Sequence, residues 1–146
     1  MEFTAYPDSR FLVSLFYQDP NSSRAYACME RTGEPLLFTP LHRIETRNAL
    51  RNAAALGLIT ENDRRTAFRQ MDEDLRDGLL VHTPINWTDA LRRADELSEK
   101  HASSNGQRTI DLLHVAFALE CGAKTFLSFD NRQRSLAEAA GLDVKP

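Results

Sequence analysis

Cysteine is scarce in this sequence. The two thiols, Cys28 and Cys121, match no metal-ligand spacing, so neither a zinc module nor a disulfide framework is expected. The opening residues "MEFTAYPDSR" hold no basic patch followed by an apolar stretch, so no secretion signal is expected. The thiols are then expected to be reduced and the compartment cytoplasmic. No apolar run is long enough to span a bilayer, so no membrane partner is expected. An excess of positive charge is also lacking. The net charge is −3, so the chain as a whole does not advertise a nucleic-acid partner. Lysine is nearly absent, because 15 of the 18 basic residues are arginine. Arginine forks onto phosphate in two-point contacts that lysine does not make, although a G- and C-rich genome also favours it. Internal repeats, low-complexity segments and long linkers are missing. Residues 1–146 therefore read as one domain, long enough to bury a real core.

What is present alternates short apolar runs with helical patterns. "EFTAY", "LLFT", "LLVHT" and "KTFLSF" read as strands, and "LDVKP" as an edge strand. Helices are expected from Asp8 to Tyr17, in "NSSRAYACMERTGEP" and in "LHRIETRNALRNAAAL", the last opened by Thr39 and Pro40. "TENDRRTAFRQMDEDLRDG" carries a stripe of Phe68, Met71 and Leu75. "WTDALRRADELSEKHA" is expected to turn Leu91, Ala94 and Leu97 inward, and "SSNGQR" to be a loop. "TIDLLHVAFALECG" is apolar nearly all round, with Thr109 as its expected cap. "NRQRSLAEAA" ends at Gly141. Strands alternating with helices predict an α/β fold with a parallel sheet covered on both faces. Ligands in such sheets bind beyond the carboxyl ends of the strands.

Four carboxylates fall where such a site would form. Asp8 follows the first strand, Asp130 ends "FLSF", Asp111 opens the apolar helix and Glu45 lies on the helix after the second strand. Singly, each has a structural explanation. Asp8 and Asp130 are natural N-caps, and Asp111 suits the positive end of its helix. Together they point elsewhere. The helix carrying Asp111 has no wet face, so its carboxylate points into the domain or into a cleft. There it must be neutralised, paired or metal-bound. Glu45 shares its face with Leu41, Asn48 and Asn52. Arg43, Arg47 and Arg51 form a separate stripe, expected to be solvated or to bind a partner. Carboxylates crowded in one cleft repel one another, and all-oxygen ligands select a hard ion, Mg²⁺ or Mn²⁺.

"YPDSRFLVSLF", "RIETRNAL", "TIDLLHVAFAL" and "FLSFDNRQRSLAEAAGL" resemble, in order, the four blocks of PIN-domain nucleases, particularly the VapC-type toxins of toxin–antitoxin pairs. The blocks cover the chain nearly end to end. The resemblance implies a three-layer α/β/α sandwich around a parallel sheet of four to five strands. It also implies Mg²⁺- or Mn²⁺-dependent cleavage of RNA, with Asp8, Glu45, Asp111 and Asp130 as the metal-site acids. Ser9 matches the usual Ser or Thr after the first acid, and Ser128 the small hydroxyl residue before the last. Arg10 departs from the small polar residue often found there, and either contacts phosphate or narrows the substrate. The implied partners are RNA, a cognate antitoxin over the cleft and a second copy of the chain.

Several other residues invite a chemical reading. Arg108, Arg132 and Arg134 adjoin the acidic blocks, and Arg10, Arg108 and Arg132 are the candidate phosphate contacts. His114 lies one turn beyond Asp111 and either hydrogen-bonds it or is a satisfied core histidine. His42 with Glu45 makes an H-x-x-E pattern that recurs by chance. Trp87 and Tyr26 either stack on bases or pack. Two alternatives to a nuclease stand beside it. One is a non-catalytic PIN module that binds RNA or protein. The other is a phosphoryl-handling receiver domain, which wants a lysine after a late strand, whereas Lys124 precedes one.

Overall fold

The structure is a computed structural model that describes residues 5–146, apart from the side chains of residues 102–105. Five parallel strands form one sheet: β1 (Ala5–Pro7), β2 (Leu36–Phe38), β3 (Leu80–His82), β4 (Thr125–Leu127) and β5 (Asp143–Lys145). Their order across the sheet is β3-β2-β1-β4-β5. The expected edge strand is thus β5, paired only to β4. Of "EFTAY", residues 2–4 lie outside the described residues. Among the described residues seven helices connect the strands: α1 (Ser9–Phe16), α2 (Ser22–Thr32), α3 (Pro40–Ala55), α4 (Glu61–Asp77), α5 (Trp87–Asn105), α6 (Thr109–Glu120) and α7 (Asn131–Ala139). Among the described residues no helix is long and apolar enough to cross a membrane.

The alternation of side chains along each strand divides the core into two layers. Tyr6, Leu37 and Phe126 face α5, α6 and α7, meeting Ala90, Ala94, Leu97, Val115, Phe117 and Leu136. Ala5, Leu36, Phe38, Leu80 and Leu127 face the other way, onto Phe11 and Leu12 of α1 and Ala25 and Cys28 of α2. Both faces are covered, which gives the three-layer α/β/α sandwich and explains why the strands read as continuous apolar runs. A smaller cluster of Leu50, Ala67 and Met71 joins α3 to α4.

Four sequence expectations are corrected. The inward row of α5 is Ala90, Ala94 and Leu97, while Leu91 is 52% exposed. The row runs i, i+4, i+7, and Leu91 lies one residue out of phase with it. The helix also continues through "SSN". None of these residues breaks a helix, and the first terminator is Gly106, whose φ of 61° favours glycine. Thr109 is the first residue of α6 rather than its cap. The cap position is Arg108, with no side-chain capping bond. The arginine stripe of α3 is not simply solvated, because Arg47 and Arg51 lie over the Phe68 ring of α4 at 4.8 and 5.3 Å.

Candidate active site

From β1 the chain adds β2 and β3 on one side, then crosses to add β4 and β5 on the other. The strand order therefore reverses between β1 and β4, where connections leave in opposite directions and a crevice opens at the carboxyl ends. Asp8 is the residue after β1, and Asp130 lies three residues after β4. Both are N-caps. Asp8 accepts the Phe11 amide at 2.7 Å, and Asp130 accepts the Arg132 and Gln133 amides at 2.9 and 3.1 Å. Ser128 ties the two together. Its hydroxyl donates to the second oxygen of Asp8 at 2.6 Å and accepts the Asp130 amide at 3.0 Å. Burial pushes the Asp8 carboxyl above the ordinary aspartate value, opposed by its bonds to Ser128 and Phe11.

Asp111 and Asp130 line one cleft of about 600 Å³, together with Arg10, Arg108, Arg132 and Asn21. The three candidate phosphate contacts therefore surround two of the four acids. Asp111 is 5% exposed and does not stand alone. Arg108 forks onto it, with Nε donating to Oδ2 at 3.0 Å and Nη2 to Oδ1 at 3.2 Å. Asp111 is the chief partner of the Arg108 charge, with further support from Asp130 and Glu45. Arg134 instead donates to the Ser128 carbonyl at 2.7 Å, bracing the turn after β4.

Glu45 reaches the site from α3. Its Oε1 accepts the Ser9 hydroxyl at 2.7 Å and a short bond from His114 Nε2. Burial raises the Glu45 pKa, but His114, Ser9 and Arg108 outweigh it and hold the carboxyl below its ordinary value. His114 thus serves Glu45 and not Asp111, the partner its helical spacing suggested. Its Nδ1 meets the Tyr6 hydroxyl at 2.8 Å. A hydroxyl proton given to Nδ1 leaves the ring proton on Nε2, aimed at Glu45. His42, part of the H-x-x-E pattern, is fully buried beneath the site. Its Nδ1 accepts the Thr39 amide at 2.8 Å and its Nε2 donates to the Pro7 carbonyl at 2.7 Å, fixing the backbone just before Asp8. Sequence reasoning missed Tyr6, Asn21 and the work of both histidines. A polar residue on an otherwise apolar helix, as His114 is, was the available signal.

The donors fit a hard divalent cation in chemistry, being carboxylates with no thiolate, but the structure brings only Asp111 and Asp130 into one cleft, lined also by Arg10, Arg108 and Arg132, while Asp8 and Glu45 do not line it. The free oxygen of Asp130 and the carboxylate of Asp111 open to the same cleft. Among the described residues no three His, Cys, Asp or Glu side chains come close enough to form a ready-made cage. At Asp111 the positive charge is supplied by Arg108.

Fold and cleft define a class, the doubly wound parallel α/β proteins with carboxylates at the reversal of strand order. Residues 5–139 match the PIN domain model, and the chain belongs to the PIN domain family. In three dimensions it is similar to a chain of VapBC2 from Rickettsia felis, in a complex bound to a DNA fragment from their promoter. That pair has a TM-score of 0.68 and 13% identity, covering 97% of each chain. It is also similar to a chain of FitAcB from Neisseria gonorrhoeae, with a TM-score of 0.66 and 14% identity over 98% of this chain and 97% of that one. At these identities the likeness is one of fold. A comparison with curated protein sequences finds no match.

Proposed function

We propose that this PIN-domain protein is a Mg²⁺- or Mn²⁺-dependent endoribonuclease and the toxin of a toxin–antitoxin pair. One observation carries the reading: Asp111 and Asp130 open to a single arginine-lined cleft at the reversal of strand order. Asp8, Asp111 and Asp130 would hold the metal, and Glu45 would hold it or position the attacking water. When bound, the ion orients the scissile phosphate, lowers the pKa of a water and offsets charge on the leaving oxygen. Ser9 and His114 fix the Glu45 carboxylate, and Ser128 fixes Asp8 against Asp130. Arg10, Arg108 and Arg132 meet phosphates of an RNA strand. The toxin role, an antitoxin over the cleft, a homodimer and a cytoplasmic setting rest on the resemblance of the four blocks to VapC-type toxins. The fold likeness to the VapBC2 and FitAcB chains supports the toxin role and the antitoxin partner.

Asp8→Asn should abolish Mg²⁺-dependent RNA cleavage, measured with purified protein by mapping cut sites with and without Mn²⁺. Cleavage by that variant at the wild-type rate would refute the site. Expression of the chain alone should arrest growth, and co-expression of the neighbouring open reading frame should relieve it. Arrest without relief would count against the toxin role and leave the nuclease standing. A second reading, a PIN module that binds without cutting, draws on the engagement of both Asp111 oxygens by Arg108. Turnover on any RNA excludes it.

A further inference from the structure

Arg108 has a double position. Its guanidinium occupies both oxygens of Asp111, the acid expected to face a cation. Its side chain is nevertheless 62% exposed, whereas that of Asp111 is 7% exposed. One partner of the pair is therefore fixed by α6 and the other is mostly in water. Arg108 also sits at the cap position of α6, ahead of the first helical turn, so the side chain is not held by a helical row on both sides. Its neighbours in the cleft are two further arginines, Arg10 and Arg132, and the acid Asp130. A guanidinium forked onto both oxygens and a hard dication compete for one carboxylate, because the fork takes up lone pairs the ion would use and the two positive charges repel each other.

We infer that Arg108 is the resident counter-ion of Asp111 and competes with the divalent cation for it, moving from the carboxylate toward the cleft when metal enters. The inference rests on the metal-site reading above and adds an antagonist that the chain itself supplies. Without metal, the pair neutralises a buried carboxylate. With metal, Arg108 is released beside Arg10 and Arg132, where its fork is available to an RNA phosphate. The same residue thus weakens metal binding and strengthens substrate binding.

Direct Mn²⁺ binding to the full chain, by calorimetry or by loss of the free-Mn²⁺ paramagnetic resonance signal, separates these effects without any turnover. Arg108→Ala and Arg108→Gln should each bind Mn²⁺ roughly tenfold more tightly than wild type, the scale of one lost charge-assisted competitor. Both should bind a non-cleavable RNA more weakly. Mn²⁺ should also raise the melting temperature of Arg108→Ala more than that of wild type. Unchanged or weaker Mn²⁺ affinity in both variants would overturn the competition. The control Asp111→Asn should lose Mn²⁺ affinity. If it did not, the metal site itself would fall, an outcome distinct from the failure of Arg108 alone.

Discussion

His42 should make this protein acid-sensitive in a calculable way. Its ring has no exposed surface, and burial, helped by the neighbouring His114, lowers its pKa from 6.5 to about 3. The folded protein therefore binds fewer protons than the unfolded chain between these two values. Stability rises with pH wherever the unfolded state binds more protons, so it must fall as pH drops from 6.5 toward 3 and level off below. At about pH 5 the unfolded ring is almost fully protonated and the folded one neutral. The loss relative to about pH 7.5 is then about 2 kcal/mol, and it hardly depends on the folded value while that stays below about 4. Urea unfolding of wild type and His42→Gln at both pH values measures it. The variant should be less stable at neutral pH, because the Thr39 amide loses its acceptor. Its stability should nevertheless change with pH by about 2 kcal/mol less than that of wild type. Other titrating groups, including the raised Asp8, are common to both proteins and cancel in the difference. An identical pH dependence in the two would show that the ring does not enter the fold neutral.

Two further perturbations test the fold. Phe126 is completely buried in β4 and stacks on Tyr6 at 5.7 Å, so Phe126→Ala should cost about 3–5 kcal/mol in chemical denaturation. Loss of less than about 1 kcal/mol would place the ring outside the core. Thr60 caps α4 by accepting the Asp63 amide at 3.0 Å, while Asp63 returns a bond to the Thr60 amide at 2.9 Å. Thr60→Ala should therefore cost about 1 kcal/mol without touching RNA cleavage.

The parts of the fold legible in the sequence were those set by local chemistry. Thr39 followed by Pro40 marks a helix start whatever surrounds it, and Leu36, Leu37 and Phe38 are apolar on both sides because both faces of the sheet are covered. Asp8 and Asp130 were legible because a cap after a strand has a sequence form. Phase errors arose where local rules are degenerate. Leu91 and Ala90 fit an amphipathic pattern about equally well, and only packing against α6 chooses Ala90. The bond between His114 and Glu45 joins residues 69 apart, and no helical spacing contains that information. The Arg108–Asp111 pair is the reverse case. Its i, i+3 spacing was visible, but an arginine beside an acidic block reads equally well as a phosphate contact.

Capping and catalysis are not rival roles for Asp8 and Asp130, because a carboxylate has two oxygens and can serve both. One oxygen of Asp130 takes the Arg132 and Gln133 amides, while the other has no hydrogen-bond partner among the described residues. Asparagine keeps a capping oxygen and replaces the second with an amide nitrogen, which neither ligates a cation nor carries charge. Asp130→Asn should therefore stay within about 0.5 kcal/mol of wild type, and Asp130→Ala should lose about 1 kcal/mol as α7 is uncapped. Under the proposed function both should lose RNA cleavage. The split matters because it separates the helix cap from the reacting charge on a single side chain. Equal destabilisation by the two variants would mean that the charge, and not the acceptor oxygen, holds the end of α7. The site could not then shed that charge without loosening its own scaffold.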